Sequence, residues 1–175
     1  MLARYFGLAK QNGYVVRDLD AALEHWTGTL GVGPFYKRPH INLEFYEFNG
    51  VRSFPDISVA LSYWGDLQIE LIQQHNDAPS IYLEFLQTKG PGLHHVLASD
   101  GRPLDDTIEH LARLGRRPTS IGGNSGGRFV YFDLGGHSGS VVELVDIGPE
   151  TLAWFEQIRR SAATWDGSEP VRLVK

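Results

Sequence analysis

Apolar residues recur at helical spacing in two similar stretches of the chain, Leu19–His25 and Leu104–His110. Each stretch carries an aspartate directly after its first leucine, where a negative charge suits the positive end of the helix dipole. Glycines follow both stretches, Gly31 and Gly33 after the first and Gly115 after the second, and glycine commonly ends helices. The pattern therefore predicts two short helices of similar sequence.

Short β-type runs surround both predicted helices in the same order. One run precedes each helix, others follow it, and the closing runs Ile69–Ile72 and Val142–Val145 share one pattern. The predicted strands are 13–16, 45–48, 57–63 and 67–72 in the first half, and 93–97, 128–134 and 140–145 in the second. This order favours an internal duplication, with module 1 at about 10–76 and module 2 at about 92–147.

Turn-forming residues divide the chain where the duplication requires it. Asn76–Pro79 ends the first half, and Lys89–Gly92 introduces the second. The run Gly122–Gly127 is predicted to be a flexible loop, without the spacing or the lysine of a nucleotide-binding motif. A third helix is predicted at about 149–163, covering either the open side of the sheet or a partner subunit. Its apolar stripe consists of Leu152, Phe155, Ile158 and Ala162.

The closing strands each contain one carboxylate among apolar residues. Glu70 stands between Ile69 and Leu71, and the neighbours of Glu143 on its own strand face are both valines. Each acid alone fits a solvent-facing strand surface as well as a buried one. A buried carboxylate is costly unless it is paired or bound to a metal. Two acids at matching positions of a duplication favour a shared site.

The opening strands supply two further donors. When the sequences of the two halves are aligned with a shift of one residue, Gln11 matches His95, and each opens the first strand of its half. His94 and His95 are adjacent and are expected to point to opposite faces, so that only one of them enters a site. The duplication then brings four side chains between the modules: Gln11, Glu70, His95 and Glu143. Three oxygens and one nitrogen suit a six-coordinate divalent ion with open positions for water or substrate.

Composition restricts the partners of this chain. The 175 residues have a net charge of −5 and contain no long basic run, which argues against nucleic acid and membrane surfaces as partners. There is no cysteine, so any metal must be held by imidazole, carboxylate or amide groups. Residues 1–6 are too short and too broken for the hydrophobic region of a secretory signal, and a cytoplasmic location is expected.

The chain resembles the vicinal oxygen chelate superfamily, which contains glyoxalases, bleomycin-resistance proteins and dioxygenases. The likeness rests on four segments that span about residues 10–147: Tyr14–Ala22, Leu67–Gln73, Gly92–Val96 and Val141–Leu144. The second and third segments are most similar to the branch that contains methylmalonyl-CoA epimerase. The resemblance implies an α+β fold in which two paired βαβββ modules form an open eight-stranded half-barrel. The predicted C-terminal helix lies outside the part of the chain that carries the resemblance.

The resemblance also implies a function and roles for residues. The family's metal ligands come from the first and last strand of each module, which match Gln11, Glu70, His95 and Glu143. The epimerases have histidine at the first position, whereas animal glyoxalase I has the same Gln, Glu, His, Glu order as this chain. In glyoxalase I the last glutamate is thought to be the base, so Glu143 is the expected catalytic residue. The stretch 57–61 lacks the additional acid of the bacterial epimerases.

These features predict a metal-dependent lyase or isomerase that uses Zn, Co, Ni or Mn. It would remove a proton next to a carbonyl or enediolate of a small substrate, such as a thioester or hemithioacetal, and a homodimer is implied. The alternative is a metal-free binding protein of the bleomycin-resistance type. A ring-cleaving dioxygenase is disfavoured because that class uses two histidines. Lys37, Arg52 and Arg128 are candidate anion contacts and equally ordinary surface charges.

Overall fold

The computed structural model describes residues 5–174, and residues 1–4 of the opening segment and residue 175 lie outside the described part. The strands are β1 (Leu8–Val15), β2 (Phe35–Ile41), β3 (Phe45–Phe48), β4 (Val51–Arg52), β5 (Ile57–Trp64), β6 (Leu67–Gln74), β7 (Gly92–Ser99), β8 (Ser120–Asn124), β9 (Gly127–Phe132), β10 (Val141–Ile147) and β11 (Val171–Leu173). The helices are α1 (Leu19–Glu24), α2 (Ile81–Thr88), α3 (Leu104–Arg113) and α4 (Pro149–Ala163), and a π-helical turn, His25–Thr29, extends α1. No helix within 5–174 is long and apolar enough to span a bilayer.

The described strands form one open sheet in the order β11-β2-β5-β6-β1-β7-β10-β9-β8-β3-β4. Eight central strands belong to two βαβββ modules, each with its first strand parallel to its last, as in β1 with β6 and β7 with β10. The modules join through the antiparallel pair β1 and β7. The predicted half-barrel is therefore confirmed, and β11, β3 and β4 extend it from eight strands to eleven.

Both repeated helices form where the pattern predicts them. The Asp18 carboxylate caps α1 by accepting a hydrogen bond from the Ala21 amide at 3.0 Å. Leu19 and Leu23 pack beneath α1 in one cluster, and Leu104 and Leu111 beneath α3 in another. The two helices thus bury matching apolar faces against the two halves of the sheet.

The glycine-rich run is not a loop, contrary to the sequence prediction. β8 continues through Gly122 and Gly123 to Asn124, and only residues 125 and 126 form the turn to β9. A Cβ on Gly122 would lie 2.5 Å from Cζ of Phe129 and 2.9 Å from Cδ2 of Tyr46. Glycine is therefore required because aromatic rings of both neighbouring strands lie over the β8 backbone.

The sequence pattern did not predict two elements, β2 and α2. β2 carries Lys37, Arg38 and Pro39, a composition that does not indicate a strand. α2 begins after Ser80, whose Oγ accepts a hydrogen bond from the Leu83 amide at 2.9 Å. Tyr82 of α2 packs in the same cluster as β-strand residues from both modules, so this helix covers one end of the sheet's inner face.

The predicted C-terminal helix is present as α4 and packs on the same sheet. Ile158 is fully buried against Tyr36 and Leu61, which lie opposite each other on β2 and β5. Leu61 is also opposite Glu70, so α4 covers part of the face that carries the predicted ligands. The predicted stripe was wrong at Leu152, which is 55% exposed.

The burial of Ile158 predicts that its truncation destabilises the fold. Ile158→Ala should lower the free energy of unfolding by about 3 kcal/mol, because it removes a fully buried side chain and leaves a cavity. Leu152→Ala on the same helix is the matched control and should change it by less than about 0.5 kcal/mol. Urea denaturation measures both values. Equal effects of the two changes would contradict this packing of α4.

Candidate metal centre

Strand pairing brings the predicted ligands to one face of the sheet. Gly13 of β1 lies opposite both Glu70 of β6 and His95 of β7. His95 in turn lies opposite Val141 of β10, and Glu143 follows two residues later on the same face. The site therefore spans four neighbouring strands, β6, β1, β7 and β10, with the pair that joins the modules at its centre.

Three of the predicted ligands converge in the middle of this face. Nε2 of His95 lies 3.1 Å from Oε2 of Glu143 and 3.4 Å from Oε2 of Glu70. One ligand atom from each residue lies within 4.8 Å of the others, a spacing that admits one metal ion. The His95 side chain is fully buried, while Glu143 and Glu70 are 7% and 15% exposed. The carboxylates thus face the inner cavity, and the imidazole lies behind them.

The ionisable groups of the cluster shift one another's pKa values. Burial alone would lower the pKa of His95, but the charge of Glu143 and the close contacts with both carboxylates raise it to about 9. Burial raises the pKa of Glu70; contact with His95 opposes this rise, and the charge of Glu143 adds to it. Contact with the imidazole of His95 therefore offsets part of the cost of burying Glu70.

Of the two adjacent histidines only His95 joins the ligand cluster, as expected, but His94 lies against it where simple alternation along the strand would separate the two rings. Gly13 pairs with His95 and Tyr14 with Leu93, so His94 is the extra residue of a β-bulge. A bulge breaks the alternation of side chains along a strand. Both histidines are completely buried, and their Nδ1 atoms lie 3.0 Å apart.

The bulge gives His95 a fixed orientation. Burial and the charge of His95 lower the pKa of His94 well below its usual value, so His94 is neutral. The charged His95 therefore donates its Nδ1 proton to Nδ1 of His94. A hydrogen bond at Nδ1 leaves Nε2 directed between the carboxylates, as in many metal-binding histidines. The rings of Tyr82 and Phe85 pack around His94, at centroid distances of 5.8 and 4.9 Å.

Gln11 lies on the same face, two residues before Gly13 on β1. Its side chain is buried, and Nε2 donates a hydrogen bond to Oε1 of Gln68 at 2.7 Å. Oε1 of Gln11 has no hydrogen-bond partner among the described residues. A buried polar atom without a partner costs about 1–3 kcal/mol. This amide oxygen, the two carboxylates and the imidazole together are the mixture of oxygen and nitrogen donors that suits a divalent ion.

A cavity of about 160 Å³ opens above the cluster. Glu70 and Glu143 line its floor, and most of its walls are apolar. Sequence reasoning missed Arg38, which lines the cavity, and selected its neighbour Lys37, which instead pairs with Asp20. The sequence signal was ambiguous because the position of β2, and hence which of its side chains face inward, was not predicted.

Comparison with known proteins identifies the family. Residues 10–132 match the model of the Glyoxalase/Bleomycin resistance protein/Dioxygenase superfamily, and the chain belongs to this superfamily. The matched range contains Gln11, Glu70 and His95 and ends before Glu143. A search of curated proteins finds no significant match.

Several solved structures share the fold. Methylmalonyl-CoA epimerase from Mycobacterium tuberculosis is 24% identical with a TM-score of 0.56, over 87% of this chain and 97% of that one. Methylmalonyl-CoA epimerase from Streptomyces coelicolor is 19% identical with a TM-score of 0.52, over 82% and 96%. A hypothetical protein from Bacillus halodurans is 18% identical with a TM-score of 0.53, over 81% and 94%. At these identities the likeness concerns the fold.

Proposed function

We propose that this protein is a metal-dependent lyase or isomerase of the glyoxalase type. The observation that carries the proposal is the cluster of Glu70, His95 and Glu143, whose ligand atoms lie within 4.8 Å of one another beneath a cavity. Gln11 is proposed as the fourth ligand, because its buried Oε1 lacks a partner among the described residues. Zn, Co, Ni and Mn all accept this mixture of oxygen and imidazole donors.

Bound here, a divalent ion would stabilise the negative charge that develops on substrate oxygen when a neighbouring C–H bond ionises. Glu143 is proposed to take that proton and to return it to the neighbouring carbon or to the opposite face. Among the described residues that line the cavity, only Glu70 and Glu143 are carboxylates. Tyr131 lies opposite Glu143 on β9, and burial raises its pKa well above the usual value, so its hydroxyl stays neutral.

The substrate is proposed to be a small molecule with a carbonyl group beside an acidic C–H bond, such as a thioester or hemithioacetal. Incubation of the metal-loaded protein with a panel of each class in deuterium oxide tests this. Incorporation of solvent deuterium at the carbon beside the carbonyl is the expected result. Oxygen uptake with catechols and no deuterium incorporation would instead indicate a dioxygenase.

Metal binding is expected to strengthen as the pH rises from about 6.5 to about 8.5. His95 is protonated below its pKa of about 9 and must lose the proton on Nε2 before that nitrogen binds an ion. Release of one proton per ion raises the apparent affinity about tenfold for each pH unit. Isothermal titration calorimetry in buffers of different ionisation enthalpy measures the affinity and the protons released. An affinity that does not change with pH would contradict His95 as a ligand.

A further inference from the structure

One of the two arginines that line the cavity forms no ion pair within the described residues. Four described residues that line the cavity are charged, namely Arg38, Glu70, Arg128 and Glu143. Arg128 already forms an ion pair outside the cavity, with Nη2 2.9 Å from Oδ1 of Asp105. Arg38 forms no ion pair or hydrogen bond within the described part of the chain. An unpaired arginine in a mostly apolar cavity has its donors available for a ligand.

The side chain of Arg38 contacts an aromatic ring of α4. Its guanidinium lies over Trp154 of α4, 5.7 Å from the ring centroid. A cation–π contact does not use the N–H groups as hydrogen-bond donors, so they stay available to bind an oxyanion in a bidentate way. The packing of α4 on the inner face of the sheet therefore positions this side chain.

The strand register sets the distance between Arg38 and the metal ligands. Arg38 lies opposite Val59 of β5, which lies opposite Ile72 of β6, two residues from Glu70. Two strand spacings and two residues along a strand separate the Cα atoms of Arg38 and Glu70 by about 12 Å. Both side chains extend over the same cavity, so the space between their charged ends is that of a small molecule. Val59 and Ile72 line the cavity between them.

Resting on the proposed function, we infer that the substrate is an anion whose acidic group binds Arg38 while its carbonyl end reaches the metal site. A divalent ion would balance the charges of Glu70 and Glu143, and a ligating His95 is neutral. Arg38 is then the remaining unbalanced charge on the cavity wall. The apolar side chains between the two positions match a short aliphatic segment. The acidic group is a carboxylate or a phosphate, since arginine binds both in the same way.

Two chelating probes isolate the contribution of the distal acid. 2-Oxoglutarate and 2-oxopentanoate carry the same metal-binding end, and only the first has a second carboxylate. Calorimetry with the nickel-loaded protein should give at least about tenfold tighter binding of 2-oxoglutarate, the effect expected of a hydrogen-bonded charge pair. The phosphonate analogue of 2-oxoglutarate in a third titration distinguishes a phosphate site from a carboxylate site.

Variants then assign the preference to Arg38. Arg38→Met should reduce it to less than about threefold and leave the affinity for 2-oxopentanoate unchanged, whereas Arg38→Lys should retain part of it. Arg113→Gln, which removes an exposed arginine on α3, is the matched control and should keep the full preference.

A wild-type protein that binds both probes equally, or a preference that survives in Arg38→Met, would overturn this inference and leave the metal site intact. A protein that binds neither nickel nor 2-oxopentanoate would instead contradict the proposed function itself.

Discussion

Glu143→Gln is expected to slow proton exchange by about 10²–10⁴-fold while the protein keeps its metal. The amide has the size and the ligating oxygen of the carboxylate but cannot accept the substrate proton, and this range is typical of a lost general base. Glu143 lines the cavity, and its side chain is 7% exposed with the carboxylate 3.1 Å from His95, so it belongs to the ligand cluster and also borders the substrate space. Deuterium incorporation and metal content should be measured on the same preparation.

Two comparisons make this result specific. Glu109→Gln changes an exposed glutamate on α3 and should leave both exchange and metal content unchanged. Glu70→Gln changes the other carboxylate of the cavity and should weaken metal binding more than it slows exchange per bound ion. If Glu143→Gln retains the wild-type exchange rate, Glu143 is not the base. If it loses the metal as well, its two roles are inseparable by this substitution and Glu143→Asp, which keeps the charge, must restore metal content.

Gly13→Ala is expected to abolish tight metal binding without changing any ligand. A Cβ at this position would lie 1.9 Å from Cε1 and 2.2 Å from Nε2 of His95, so the imidazole must leave its place over the β1 backbone. The ring is fully buried and hydrogen-bonded to His94, so moving it aside strains or breaks that contact. Displacing a ligand in this way should weaken metal affinity at least about 100-fold. The crowding should also destabilise the fold by about 1–3 kcal/mol.

The cause can be checked in a second background. Gly13→Ala should destabilise a His95→Ala protein much less than the wild type, because the clashing ring is gone and coupled sites are not additive. Gly28→Ala is the matched control, since no atom lies within 4 Å of the Cβ that it adds. Nickel affinity by calorimetry and thermal unfolding measure both effects. Wild-type metal affinity in Gly13→Ala would show that His95 is not a ligand in this position.

The duplication in the sequence predicted two similar modules, and the family resemblance implied how their strands form the half-barrel. The repeated helices and the matching acids Glu70 and Glu143 placed the closing strands and the shared site, because strand alternation and module symmetry determine which side chains meet. Gln11 and His95 followed from the same symmetry. These four side chains lie on the first and last strands of the two modules, and the same strand pairing occurs in both modules.

Features that depend on contacts between distant elements could not be predicted in the same way. The bulge that brings His94 beside His95 is a property of the register between β1 and β7. The glycine run at Gly122 is typical of a loop, but in the fold the missing side chain of Gly122 allows the Phe129 ring to pack over the β8 backbone. Arg38 gained its significance only when α4 placed Trp154 beside it.

The metal content of the purified protein tests the central claim most directly. Elemental analysis after incubation with Zn, Co, Ni or Mn and removal of excess ion should find about one divalent ion per chain, and Glu70→Ala, His95→Ala and Glu143→Ala should each lower that value. Calorimetric titration of the metal-free protein gives the stoichiometry independently. A folded protein that takes up none of these ions would contradict the account and favour the metal-free binding protein.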